Sequence, residues 1–121
     1  MAGGIQIRQV RTERGVLSPA QVLAVLRPAG DDHQPLSAAV MTENTHNWHG
    51  AAAWSLPDLQ RLSGTARSSG LAVHLDGARI FNAAIATGAD VRAIAQDSDT
   101  ALLLPVQGAL LPGRQHSVRA G

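Results

Sequence analysis

The sequence predicts an α/β fold, a parallel sheet covered by helices, and three observations point to it. Short apolar runs of strand length, "LSAAVMTE" at 36–43, "LAVHL" at 71–75 and "TALLLPV" at 100–106, alternate with segments of helical spacing. The runs are largely continuous rather than alternating apolar and polar, as expected of strands buried on both faces. Each is followed by polar residues, and open α/β sheets bind ligands beyond the carboxyl ends of their strands. Asp76, the stretch Glu43 to His46, and Gln107 are therefore expected on one rim.

The elements follow in order. Residues 1 to 15 are polar and contain glycine, with "IQIRQV" a candidate short strand. "SPAQVLAVLRP" reads as a helix with Ser18 as its cap, Pro19 at the first helical position and Pro28 beyond its end. "AGDDHQP" is a loop, the first apolar run follows, and "NTHNWHGAAAWSL" is again a loop. From Pro57 to Ser69, Leu59, Leu62 and Ala66 recur at helical spacing, and Gly70 is a suitable stop. The strand "LAVHL" leads to a helix from Arg79 to Thr87, with Ile80, Ala83, Ala84 and Ala86 as its apolar face and Gly88 closing it. Asp90 can cap a further short helix through Gln96. "TALLLPV" is a buried-looking strand cut by Pro105, and the tail is loop with a possible last strand around "HSVRA".

Composition narrows the classes. A chain of 121 residues is one domain at most, large enough to bury roughly two-thirds of its unfolded surface. Trp48, Trp54 and Phe81 are the only aromatics, so a core rich in large anchoring side chains is not expected. All ten basic residues are Arg; the chain contains no Lys. A net charge of +1 makes no general electrostatic claim on nucleic acid or membrane, and Glu13 interrupts the cluster of Arg8, Arg11 and Arg14. With no cysteine, disulfides and thiolate metal sites are excluded. No apolar run approaches the roughly 20 residues of a membrane span, and the N-terminus lacks a signal-peptide core, so a cytoplasmic protein is the expectation.

Several residues could carry chemistry, each with an ordinary alternative. Asp76 and Arg79 stand where a strand hands over to a helix, and an Asp there is by position a helix cap. From spacing the cap is preferred; the functional reading is that Asp76 holds a protonated heterocycle nitrogen, as Asp does for the pyridoxal phosphate ring. "ENTHNWHG" carries His46 and His49 near Glu43, yet no HExxH or third ligand is present, so a polar loop is preferred to a metal site. His33 in "DDHQP" is a solvated loop histidine or a proton acceptor. His74 lies within an apolar strand, which suggests a hydrogen-bonded interior histidine. Arg79 with the helix start could also bind a phosphorylated ligand, although Asp76 repels an anion there.

"HLDGARIFNAA" and "TENTHNWHG" together resemble the threonine aldolase and β-eliminating lyase family of pyridoxal phosphate enzymes. The family's H-x-D-G-A-R-x-F-N-A hallmark is kept throughout from His74 to Ala83, and its E-N-T-H-N element from Glu43 to Asn47. The resemblance implies the cofactor-binding large domain of the aminotransferase-like fold, with residues 1–121 a single partial domain from its middle. It implies that the preceding segment, with the cofactor-stacking histidine and phosphate loop, and the C-terminal small domain are absent. It implies pyridoxal 5'-phosphate as cofactor, an amino-acid substrate (threonine or allo-threonine cleaved to glycine and acetaldehyde) and a homo-oligomer.

By the same resemblance, Asp76 pairs with the pyridinium nitrogen and Arg79 contacts the phosphate and substrate-carboxylate region. His33 falls at the family's D-x-H-x-x-R-T histidine, a candidate base, although Leu36 and Ser37 replace the Arg and Thr. Gly50 and Ala51 keep half of the doubled glycine after E-N-T-H-N. The family's next strand ends in a loop like S-K-G-L-G-A-P, whose Lys forms the Schiff base with the cofactor. Here "PVQGALLPG" stands in that place, with Gln107 before Gly108. An amide nitrogen is not nucleophilic toward an aldehyde, so the expectation is an isolated chain without activity, or a degenerate fragment that associates with a complete homologue.

Overall fold

The structure, a computed structural model, describes residues 4–27, 30, 32–45 and 52–104. Seven elements follow one another: α1 (Pro19–Val25), β1 (Ala39–Glu43), α2 (Leu56–Ser68), β2 (Ala72–Gly77), α3 (Ile80–Thr87), α4 (Val91–Ala95) and β3 (Thr100–Leu103). The strands form one parallel sheet in the order β1-β2-β3. This is the α/β architecture expected, and local sequence accounts for most of its boundaries.

The helix starts are chemically marked. At α1, the Ser18 hydroxyl accepts from the Gln21 N–H and the Gln21 side chain accepts from the Ser18 N–H, a reciprocal box with Pro19 in the first turn. At α2, Ser55 rather than Pro57 opens the helix, accepting from the Asp58 N–H at 3.2 Å while its hydroxyl donates to the Asp58 carboxylate at 2.8 Å. Asp90 opens α4 by accepting from the Arg92 N–H.

The end of α2 is set by Gly70. Its φ of 73° is a left-handed conformation that costs a residue bearing Cβ roughly 1–2 kcal/mol. That turn lets the Gly70 N–H reach the Arg67 carbonyl and the Leu71 N–H reach the Ala66 carbonyl, with Ala66 and Leu71 both buried. The chain then enters β2 directly. Gly88 closes α3 in the same conformation, with φ 69°.

One face of the sheet carries the core. Val73 and Leu75 of β2 point into it, meeting Leu59, Leu62 and Ala66 of α2. Ile80 and Ala83 of α3 and Ile94 of α4 belong to the same cluster. Trp54 is also fully buried there, so the core does have one large anchor, contrary to the expectation from composition; Phe81 stays 40% exposed. Ala86, assigned to the apolar face of α3, is exposed, because only Ile80, Ala83 and Ala84 turn toward the core.

The second face is different. Ala39, Met41 and Glu43 stand in register with Ala72, His74 and Asp76, and so share a face. Thr100 and Leu102 continue it on β3. Among the described residues this face is open, with Met41 at 65% and Leu102 at 47% exposure. β3 therefore exists as expected but is exposed along all four residues, since among the described residues it pairs on one side only.

The candidate strand "IQIRQV" does not join the sheet. Its even residues are tied to the end of α1: Arg8 donates to the Val25 carbonyl at 2.7 Å, and Gln6 accepts from Arg27 at 3.1 Å. Ile5 and Ile7 point outward. The alternation is present, but no described strand lies beside it. Pro28, Pro105 and the candidate last strand around "HSVRA" fall outside the described residues.

Candidate functional site

β2 runs two residues past the apolar run that announced it, so Asp76 lies inside the strand. It pairs with Glu43 on one side and Leu102 on the other, at the carboxyl ends of all three strands. This placement overturns the reading of Asp76 as a helix cap. The cap of α3 is Arg79, which makes no side-chain capping bond. Asp76 instead folds its Oδ1 back onto the Ala78 N–H at 3.1 Å, a local turn that carries the chain from strand to helix.

That bond fixes the carboxylate without exhausting it. Among the described residues it is the carboxylate's one hydrogen bond, so the second oxygen keeps its acceptor capacity on a half-buried side chain. Arg79 is exposed three residues on, with no hydrogen bond or ion pair from its guanidinium among the described residues. A fixed anion and a free cation thus flank the turn Gly77–Ala78.

Gly77 makes the turn possible. A Cβ there would lie 2.8 Å from the Leu102 carbonyl oxygen and 2.8 Å from Leu103 Cδ2, closer than real contacts allow. β3 can run alongside the end of β2 only because this position has no side chain.

β1 supplies the neighbouring edge. The Asn44 N–H donates to the Asp76 carbonyl at 3.1 Å, extending the ladder past Glu43. The Asn44 side chain, fully buried, accepts from the Trp54 N–H at 3.2 Å and so ties this edge to the start of α2. On the second face, His74 Nδ1 lies 2.7 Å from Thr100 Oγ1. His74 is hydrogen-bonded as expected but half-exposed rather than interior, because its face is the open one.

The other sequence candidates fall elsewhere. His33 is exposed in the turn ahead of β1. His46, His49 and Gln107 lie outside the described residues, so of the three rim segments expected to converge the structure joins those of Asp76 and Glu43. Among the described residues no group of three or more His, Asp or Glu is placed to hold a metal. Two residues had been passed over: Gly77, and the Asn44 amide. Gly77 could have been found as a glycine at a strand end, where close backbone approach is a standing possibility. Asn44 had a weaker signal, an amide directly after the strand-length run that ends at Glu43.

An anion held at the sheet rim, with a cation one turn on, stands where open α/β sheets bind their ligands, beyond the strand ends. The comparisons make the class specific. Residues 1–112 match the family model of beta-eliminating lyases, and the chain belongs to that family. It is 35% identical over 100 residues to a probable low-specificity L-threonine aldolase 2 of Arabidopsis thaliana, covering 81% of this chain and 28% of that protein. It is 31% identical over 125 residues to the low specificity L-threonine aldolase of Escherichia coli strain K12, covering 98% of this chain and 37% of that protein. An uncharacterized protein of Caenorhabditis elegans, R102.4, is 41% identical over 70 residues, 58% of this chain and 17% of its own length. The chain thus spans about a third or less of the curated relatives it matches.

The family's cofactor, pyridoxal phosphate, can be tested against these residues. The free oxygen of Asp76 suits a protonated ring nitrogen, and Arg79 suits an anionic group. The covalent anchor does not fit, because no lysine occurs anywhere in the sequence.

Proposed function

We propose that this chain is the central part of the cofactor-binding domain of a threonine-aldolase-type lyase, keeping the ring contact and lacking the covalent anchor. In that reading the relatives' reaction is cleavage of threonine or allo-threonine to glycine and acetaldehyde. The cofactor supplies an electron sink for the bond broken at Cα. Asp76 holds the ring nitrogen in its cationic form, Arg79 takes the phosphate or substrate carboxylate, and His33 is the candidate proton acceptor. Gln107 stands at the anchor position and is not competent there. The isolated chain is accordingly inactive, although it can hold the cofactor by non-covalent contacts. A cytoplasmic location belongs to the same proposal.

The observation that carries the reading is the half-buried Asp76 at the strand ends, with one oxygen engaged by the Ala78 N–H and the other free among the described residues. Calorimetry of the full chain with pyridoxal phosphate, followed by borohydride reduction and peptide mapping, tests it. The expected result is reversible binding that Asp76→Asn weakens about tenfold or more, equivalent to roughly 1.4 kcal/mol. Reduction is expected to fix no cofactor except at the α-amine of Met1. Binding indifferent to Asp76→Asn would remove the assigned role, and a reduced adduct at an internal residue would overturn the inactivity.

A second reading is favoured by the sheet face that is open among the described residues. Here the chain is a degenerate fragment that associates with a complete homologue. Parallel sheets are almost always covered on both sides, and such a partner would supply the second layer.

A further inference from the structure

The register of β1 with β2 sets a second carboxylate beside Asp76. Glu43 pairs with Asp76 and shares its face of the sheet, and both residues are half-buried at the strand ends. Neighbouring strands stand about 4.8 Å apart, so a ligand whose nitrogen meets Asp76 has the Glu43 position one strand spacing away. Glu43 has a partner of its own. A carboxylate offers about four acceptor sites, so one partner does not exhaust it. The exposed Arg79, three residues after Asp76, supplies the positive charge for an anionic group.

This arrangement bears on the group that the ring carries para to its nitrogen. In pyridoxal phosphate that group is an aldehyde, whose oxygen only accepts hydrogen bonds, as a carboxylate does, so the two repel. A primary amine at the same carbon is a cation with three donors and complements a carboxylate. The chain also cannot hold the aldehyde through a lysine: that bond forms by condensation with a primary amine, with loss of water, and no lysine occurs in the sequence. We propose that the rim of Asp76, Glu43 and Arg79 takes the amine form of the cofactor, pyridoxamine 5'-phosphate, in preference to the aldehyde, with Glu43 as the residue that selects it. The proposal rests on the reading of Asp76 as the contact to the ring nitrogen. Asp76 then accepts from the ring N–H, Glu43 accepts from the ammonium group and Arg79 takes the phosphate. Binding is reversible, and no bond to the protein forms.

Titration calorimetry of the full chain at low salt tests it with three ligands, the 5'-phosphates of pyridoxamine, pyridoxine and pyridoxal. They share ring and phosphate and differ at one carbon; the α-amine of Met1 is acetylated so that the aldehyde forms no adduct there. In the parent the amine form is expected to bind about tenfold tighter than the neutral alcohol form, the usual weight of a hydrogen bond to a charged group. It should also bind tighter than the aldehyde. Glu43→Gln should bring the amine form within about twofold of the alcohol form, because the charge that selects it is gone. Asp76→Asn should weaken all three. Equal binding of amine and alcohol in the parent, tightest binding of the aldehyde, or an amine preference that survives Glu43→Gln overturns the proposal. If none of the three binds, or none responds to Asp76→Asn, the reading of Asp76 falls and the proposal with it. The comparison of ligands in the parent needs no variant, so a Glu43→Gln chain that fails to fold does not prevent a decision.

Discussion

Gly77 shows how much of the site hangs on a single missing methyl group. Its position admits no Cβ because the Leu102 carbonyl, a rigid backbone group, stands 2.8 Å from where that atom would be. Gly77→Ala must push β3 away from β2 or twist the turn that carries Asp76. We expect a loss of about 1–3 kcal/mol in urea denaturation, the usual range for overpacking. Weaker pyridoxal phosphate binding should accompany it. A variant of unchanged stability would mean that β3 yields freely at its end. Of this, only a glycine at a strand end was legible in the sequence. "DGAR" marks the rim as a motif, but the contact partner of Gly77 lies on a different strand, and only the register of β2 with β3 reveals it. The same holds for Asp76: position suggested a cap, and the structure shows a carboxylate that belongs to the strand and turns onto Ala78.

At the scale of the element, α2 concentrates its interactions in its first turn. Asp58 is hydrogen-bonded to the Arg61 guanidinium and to the Ser55 hydroxyl, and these partners, Arg61 first, hold its carboxyl below the usual carboxylate range. A carboxylate lowered in the folded state stabilises it above the unfolded value of 3.8. That contribution is lost as the pH falls through the lower, folded value. Asp58 is about one-third exposed and Arg61 more so, which keeps the effect small through solvent screening. Urea denaturation of the parent and of Asp58→Asn should therefore differ at pH 7, begin to approach each other near pH 3.8, and converge once the pH has fallen through the lower, folded value. A difference that persists undiminished in acid would assign the effect to packing instead. Helices of this type were the most readable part of the sequence. Ser18, Pro19, Gly70, Gly88 and Asp90 each act within a few residues of themselves, so their chemistry needs no knowledge of the rest of the fold. β3 was readable as a strand and misread as buried, since burial depends on which layers lie over it.

The whole molecule has one layer of helices and one bare sheet face among its described residues. Met41 lies at the middle of the border strand β1 on that face, in register with His74. Met41→Lys adds charge to a position already in contact with water, where substitutions ordinarily change stability by less than about 0.5 kcal/mol. Light scattering against protein concentration should show less association for this variant, with an unchanged urea midpoint. A marked fall in that midpoint would mean that the side chain is covered in solution. No helix among the described residues is long and apolar enough to cross a membrane.

Among the described residues the two borders of the sheet are unlike each other: β1 bounds one side, β3 the other, and all strands point the same way. If β3 of one molecule lies beside β1 of another, the parallel ladder continues by simple repetition and nothing in the geometry closes it into a ring. A fibre, not a dimer, is the assembly to which such a molecule is exposed, and each added copy would present the same vacant border to the next.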